Sequence, residues 1–271
     1  MSTTPTPQTT VPLIIAIDGP AGAGKSTVAR RLAARLGIPY LDTGAMYRAV
    51  GLAAMRAGIE GPVDDTAAQT VARIAETHTI ELDQDGHGTR VLLDGEDVSA
   101  EIRSPECALM ASAVSAVSAV RRALVFAQRK AGRKRGCVME GRDIGSVVFP
   151  DASLKVFLTA DPDERARRRQ RDLAQAGNEV SLEDVKRQQH QRDLQDTSRA
   201  DSPLHVARGS VVVDTTGMTI EQVIERLLSE LSELRESSEP RLDTNGENTI
   251  RSRNHGGLVR GRSAPIEEES S

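Results

Sequence analysis

The sequence predicts an α/β protein: a parallel sheet of five short strands with helices covering both faces. Three observations predict it. Short apolar runs alternate with stretches of helical periodicity along most of the chain. The first run is continuous rather than alternating, as in a strand buried on both faces. That run leads straight into a glycine-rich turn followed by a helical pattern, the strand–turn–helix order of a parallel unit.

Residues 13–17 form the first apolar run, ending in Asp18 and Gly19. Residues 26–36 carry Val28, Ala29, Leu32, Ala33 and Leu36 at helical spacing, and Gly37 stops them. Residues 39–42 read as a second strand, and 45–57 as a helix stopped at Gly58. Residues 79–83 and 90–94 flank an Asp85-Gly86 turn and read as a hairpin inserted between helices, outside the parallel sheet. Residues 137–139, 154–159 and 210–214 supply the third, fourth and fifth strands. A closing helix over 219–234 starts at Thr219, with Gln222 as its capping-box partner.

The ends differ from this pattern. Residues 1–11 are rich in Ser, Thr and Pro with no basic stretch and read as a flexible leader. Residues 236–271 have few apolar anchors and are expected to be disordered, leaving 12–235 as the folded domain. A formal charge of -4 lacks the basic excess of a bulk nucleic-acid binder, and an aromatic content of 2% offers no base-stacking platform. Cys107 and Cys137 form no CxxC pair, so neither a zinc site nor a disulfide framework is expected, and both are read as small core residues in a reducing compartment. No apolar run approaches the ~18 residues of a membrane span. A cytoplasmic protein is expected, and nothing in the sequence calls for more than a monomer.

The glycine-rich turn Gly19-Pro20-Ala21-Gly22-Ala23-Gly24-Lys25-Ser26 matches the phosphate-loop pattern between a strand and a helix. Its backbone N–H groups and the following helix N-terminus suit a nucleotide's phosphates. Lys25 is expected to reach the β- and γ-phosphates, and Ser26 to hold Mg²⁺ through its hydroxyl. Such a loop establishes nucleotide binding but not the fate of the phosphoryl group.

Three further blocks bear on that fate. Leu41 to Arg48 opens the second helix, where Thr43 and Arg48 can face an acceptor phosphate or simply cap a helix with a surface cation. Gly141-Arg142-Asp143 follows the third strand, at the strand end that faces the crevice of an open α/β sheet. There Arg142 can fork onto phosphate and Asp143 can accept from an amino group, or the pair can be a plain turn with a surface ion pair. Residues 161–171 are dense in arginine, and Arg192, Asp196 and Arg199 recur at helical spacing beyond a Gly-Asn loop. Two such helices suit a lid that neutralises a transferring phosphoryl group, a solvated basic face, or an RNA-binding patch. The sequence has no Asn-Lys-x-Asp stretch and no apolar run ending in Asp-Glu, so an acceptor other than water is expected.

Taken in order, the phosphate loop, Leu41-Asp-Thr-Gly-Ala-Met-Tyr-Arg48, Leu93-Asp-Gly-Glu-Asp-Val-Ser99 and Gly141-Arg-Asp-Ile-Gly-Ser-Val-Val-Phe-Pro-Asp151 resemble bacterial cytidylate kinase over about residues 12–232. The resemblance implies a P-loop kinase with a five-stranded parallel sheet, a β insertion over 62–110 in the monophosphate-binding part, and a lid over 161–200. It implies transfer of the ATP γ-phosphate to CMP or dCMP, with Mg²⁺. By motif position, Gly19 to Thr27 would bind ATP. Thr43 stands where the family often has Ser, and Arg48 and Arg142 would bind the acceptor phosphate. Ser112, Arg121 and Asp143 would read cytosine, Arg192 and Asp196 would hold the sugar side, and Arg199 would reach the phosphates from the lid. Lys25, Arg142 and Arg199 are the expected catalytic cations. Ser112 rests on the resemblance alone; from its Ala-rich surroundings it reads as a packing residue. A uridylate- or shikimate-type kinase and an inactive nucleotide-regulated binding protein are the competing readings.

Overall fold

The first strand, β1 (Ile14–Asp18), is buried along its whole length. Its side chains alternate between two cores, as strand geometry requires. Ile15 and Ile17 pack with Val28, Leu32, Val156 and Leu227 on one face, and Ile14 and Ala16 with Met139, Ile144 and Phe149 on the other. The continuous apolar run of the sequence is the trace of this double burial.

A computed structural model describes residues 12–84, 89–175 and 177–238. The main sheet has the order β2-β6-β1-β7-β8, with every pairing parallel. Here β2 is Tyr40–Asp42, β6 is Cys137–Gly141, β7 is Leu154–Thr159 and β8 is Val211–Asp214. The five predicted strands are therefore the five observed ones. Register decides which side chains meet at the strand ends: Asp18 lies beside Gly141, and Asp42 beside Glu140. Three acidic residues and a glycine thus share one edge of the sheet.

Helix α1 (Lys25–Leu36) starts directly from the phosphate loop, with Gly24 in the left-handed conformation before it and Gly37 closing it. Helix α2 (Thr43–Arg56) is capped by Asp42, which accepts from Ala45 N at 3.1 Å. It starts two residues before the predicted position, because the cap is the strand's own last residue.

The insertion is richer than a hairpin. It contains α3 (Asp65–Thr77) and an antiparallel sheet of β3 (Ile80–Gln84), β4 (Thr89–Leu93) and β5 (Glu96–Asp97). The predicted Asp85-Gly86 turn lies outside the described residues. A third core joins this insertion to α2, α4 (Pro105–Val114) and α5 (Ser118–Arg133) through Val71, Ile74, Val91, Leu93, Val114 and Leu124. Cys107 and Cys137 are buried and free.

The arginine-dense stretch forms α6 (Pro162–Gln175) and α7 (Leu182–Ser198). Among the described residues no single helix is long and apolar enough to cross a membrane. The last helix, α8 (Ile220–Ser238), carries the predicted capping box: Thr219 N donates to Gln222 Oε1 at 2.8 Å, and Gln222 N to Thr219 Oγ1 at 3.2 Å. It runs past the predicted end into the stretch read as disordered. Residues from Ser232 onward form a separate unit, of which only the helix end is described. The leader 1–11 and the tail beyond 238 lie outside the described residues.

Candidate functional site

A large cavity of about 980 Å³ opens along the C-terminal edge of the parallel sheet. It is lined by the phosphate loop, the loop after β8, α2, α4, α5, the turn after β6, and helices α6 and α7. Cations outnumber carboxylates among its lining side chains. Of the residues singled out in the sequence, Ala21 to Thr27, Thr43, Arg48, Ser112, Arg121, Arg142, Asp143, Arg192, Asp196 and Arg199 all line it. Gly19 and Pro20 do not line it, and their contacts show why they are needed.

Gly19 has φ +147, and a Cβ there would sit 2.0 Å from the Leu158 carbonyl oxygen. Only glycine lets β1 turn this closely past β7. Pro20 offers its carbonyl to Lys25 Nζ at 2.7 Å. At Gly22, with φ +75, a Cβ would meet the Arg165 carbonyl oxygen at 2.9 Å. Helix α6 therefore presses on the phosphate loop at its base. Ala21 O accepts from Arg165 Nη1 at 3.0 Å and from Gln189 Nε2 at 3.1 Å, one donor each from α6 and α7. Arg165 also pairs with Asp193 at 2.8 Å.

Lys25 is 6% exposed, and burial together with the Arg142 charge pushes its ammonium down to about 7. Arg192 is pushed down to about 10 by burial and by Arg142. Burial and Arg121 likewise lower Arg199. These desolvated cations crowd one another, and a bound polyanion relieves that repulsion. Asp196 partly fills this role: Arg142 Nε donates to it at 2.7 Å and Arg199 Nη2 lies 3.2 Å away. Burial acts to raise the Asp196 carboxyl, but Arg142, Arg199 and Arg192 outweigh it and hold it below its ordinary value.

At the far end, Arg121 and Asp143 form a buried ion pair, each 4% exposed. Arg121 also donates to Ser115 O at 3.3 Å and lies 5.5 Å from the centre of the Tyr47 ring. Ser112 Oγ donates to Gln195 Oε1 at 3.3 Å, linking α4 to α7. Arg48 pairs with Asp42 at 2.8 Å. The Thr43 hydroxyl donates to Glu140 O at 2.7 Å. A Cβ at Gly141 would meet that hydroxyl at 2.8 Å and Ile144 Cδ1 at 2.6 Å, so any larger residue would force these side chains to move where β6 passes α2.

Sequence reasoning missed Glu140. It is buried at 4% exposure, lines the cavity, and accepts from Ser26 Oγ at 3.0 Å and from Tyr40 OH. Burial and the neighbouring Asp42 raise its carboxyl above the ordinary value. Its sequence signal is a lone acid in an otherwise apolar strand, one residue before Gly141. Asp18 likewise reads in the sequence only as the end of an apolar run. It is buried, and burial pushes its carboxyl up to about 6 although two backbone N–H groups oppose the shift.

One end of this cavity is the phosphate loop, and the other holds the buried Arg121–Asp143 pair. A family model described as cytidylate kinase matches residues 15–233. The cytidylate kinase of Citrifermentans bemidjiense is 49% identical over 82% of this chain and 93% of its own length. That of Geobacter sp. (strain M21) is 50% identical over 79% and 90%, and that of Caldanaerobacter subterraneus subsp. tengcongensis 49% over 79% and 92%. With a match that runs from the first strand into the last helix and takes in every side of the cavity, the chain belongs to the cytidylate kinase family.

Proposed function

We propose the following division of labour for the phosphorylation of CMP and dCMP by ATP that membership of this family brings. The phosphate loop binds the triphosphate, with Lys25 over the β- and γ-phosphates. Arg48 and Arg142 bind the acceptor phosphate, Arg192 and Asp196 the sugar side. Arg121 and Asp143 read the base, with Ser112 beside them. Arg142 and Arg199 stand on either side of the Asp196 carboxylate, placed to exchange it for phosphate oxygens.

The buried Arg121–Asp143 pair carries this reading. Cytosine presents an exocyclic amino donor next to ring acceptors, which a carboxylate and a guanidinium match. Uracil places an oxygen where the amino group was, leaving Asp143 facing another acceptor in a buried site.

The attacking group is a phosphate oxygen, already anionic at neutral pH, so the residues need only position it and stabilise charge. No general base is assigned. The Ser26 hydroxyl and the Glu140 carboxylate, 3.0 Å apart, form an all-oxygen donor set that suits Mg²⁺. Ser26 would hold it directly and Glu140 would orient that hydroxyl. When bound, the ion would neutralise charge on the triphosphate.

A panel of acceptors in an assay coupled to ADP release tests the reading. CMP and dCMP are expected to be the good acceptors, with UMP lower in kcat/KM by about 10²-fold. Poor turnover of both CMP and dCMP would overturn it.

A further inference from the structure

The turn that carries Asp143 has an unusual construction. Ile144–Val148 is a single turn of π-helix. Asp143 O accepts from Val147 N at 2.8 Å and from the more distant Val148 N at 3.2 Å, and Ile144 O accepts from Phe149 N. Such wide turns are rare and appear mostly as single turns, frequently at functional sites. They persist where the surroundings hold them.

Both ends of this turn are held by charged side chains from other elements. At its start, Ile144 N and Gly145 N donate to the two oxygens of Asp18 at 2.8 and 2.7 Å. At its end, Arg129 Nη2 donates to Val147 O at 2.6 Å and Arg129 Nε to Val148 O at 2.9 Å. These are the groups that a short helical turn leaves without internal partners. Neither Asp18 nor Arg129 lines the substrate cavity. Arg129 lies about two turns along α5 from Arg121, so one helix supplies both the cation paired to Asp143 and the brace behind it.

We infer that Arg129 and Asp18 are positioning residues for base recognition: they fix the turn that aims the Asp143 carboxylate, and thereby set discrimination between cytosine and uracil. The inference rests on the assignment of Asp143 to the base. Ile144, Val148 and Phe149 anchor the same turn in the core, so the fold does not depend on Arg129 alone. What Arg129 adds is aim. A displacement of about 1 Å at a reacting or recognising group can cost up to about 10²-fold.

The test compares Arg129→Met, Arg129→Lys and Asp143→Asn with the parent enzyme, using CMP and UMP as acceptors. Arg129→Met is expected to raise the CMP KM by about tenfold and to contract the CMP-over-UMP ratio of kcat/KM by a similar factor. The ATP KM should stay within about twofold, because Arg129 braces the far end of the cavity and not the phosphate loop. Arg129→Lys keeps the charge and one carbonyl bond but not the fork, and should fall between the two. It also keeps the experiment decisive if the methionine variant folds poorly. Arg129 variants that melt lower yet keep the parent's CMP KM and CMP-over-UMP ratio would overturn the inference. If Asp143→Asn itself keeps that ratio, the base-reading assignment fails and the brace fails with it. If Asp143→Asn loses the ratio while both Arg129 variants keep it, only the brace is wrong.

Discussion

Replacing Lys25 by methionine lowers kcat/KM for phosphoryl transfer by about 10³-fold or more, with CMP as acceptor. The magnitude follows from the chemistry. Transfer of a phosphoryl group spreads charge over its oxygens, and one cation placed on that charge is worth about 10³–10⁵ in rate. Lys25 is the cation at the loop itself, held by Pro20 O and flanked by Arg142 and Glu140. Methionine keeps much of the stem and removes the charge. A second readout checks that the buried ammonium is the group concerned. In the protein free of nucleotide and metal, the folded-state value of about 7 lies below the ordinary 10.5 of the unfolded chain. Between those values the unfolded chain holds a proton that the folded chain does not, so raising the pH favours folding. Urea melts at pH values of about 7 and about 9.5 should therefore show the parent gaining stability relative to Lys25→Met as the pH rises. A variant retaining more than about a tenth of the parent's kcat/KM would remove Lys25 from the transferring phosphate.

The second large effect belongs to Asp143. Asp143→Asn should lower kcat/KM for CMP by about 10²-fold, leave the ATP KM within about twofold, and narrow the CMP-over-UMP ratio. The amide turns a donor toward the position where cytosine presents its amino group, and that donor suits the uracil oxygen better. Asn is the informative change because Ala is harsher. Arg121 is 4% exposed and its main partner is Asp143, so Asp143→Ala strands a buried cation at a cost of about 3–5 kcal/mol. Steady-state kinetics on both acceptors, with thermal melts as a control, separates lost recognition from lost folding.

Much of this was legible in the sequence, for reasons that are local. The run at β1 is apolar without interruption because both faces of that strand are buried, and burial leaves the same mark wherever the chain lies. The phosphate loop is legible because its glycines answer to backbone geometry, as Gly19 beneath Leu158 shows. The capping box at Thr219 spans four residues and needs nothing from elsewhere.

What stayed hidden depends on register across the sheet or on contacts between distant elements. Glu140 acquires meaning only when the pairing of β6 and the start of α1 bring it to Ser26, 114 residues away in the chain. Asp18 acquires it by capping a turn 126 residues further on. Ile144–Val148 has no hydrophobic period that announces a π-helical turn, and the side chains that bond to its ends, Asp18 and Arg129, come from distant elements. Strand β5 is two exposed acidic residues, too short and too polar to leave a pattern. Ser112 carried no signal of its own, and its place in the cavity comes from the packing of α4 on α2.

The division of the cavity, with the triphosphate at one end and the acceptor's base read by Asp143 and Arg121 at the other, is tested most directly by a crystal structure with CMP, Mg²⁺ and an unreactive ATP analogue. The cytosine amino group is expected within about 3.2 Å of the Asp143 carboxylate, the ring acceptors facing Arg121, and the CMP phosphate on Arg48 and Arg142. A base bound elsewhere in the cavity, with Asp143 still engaged only by Arg121 and the turn unchanged, would contradict it.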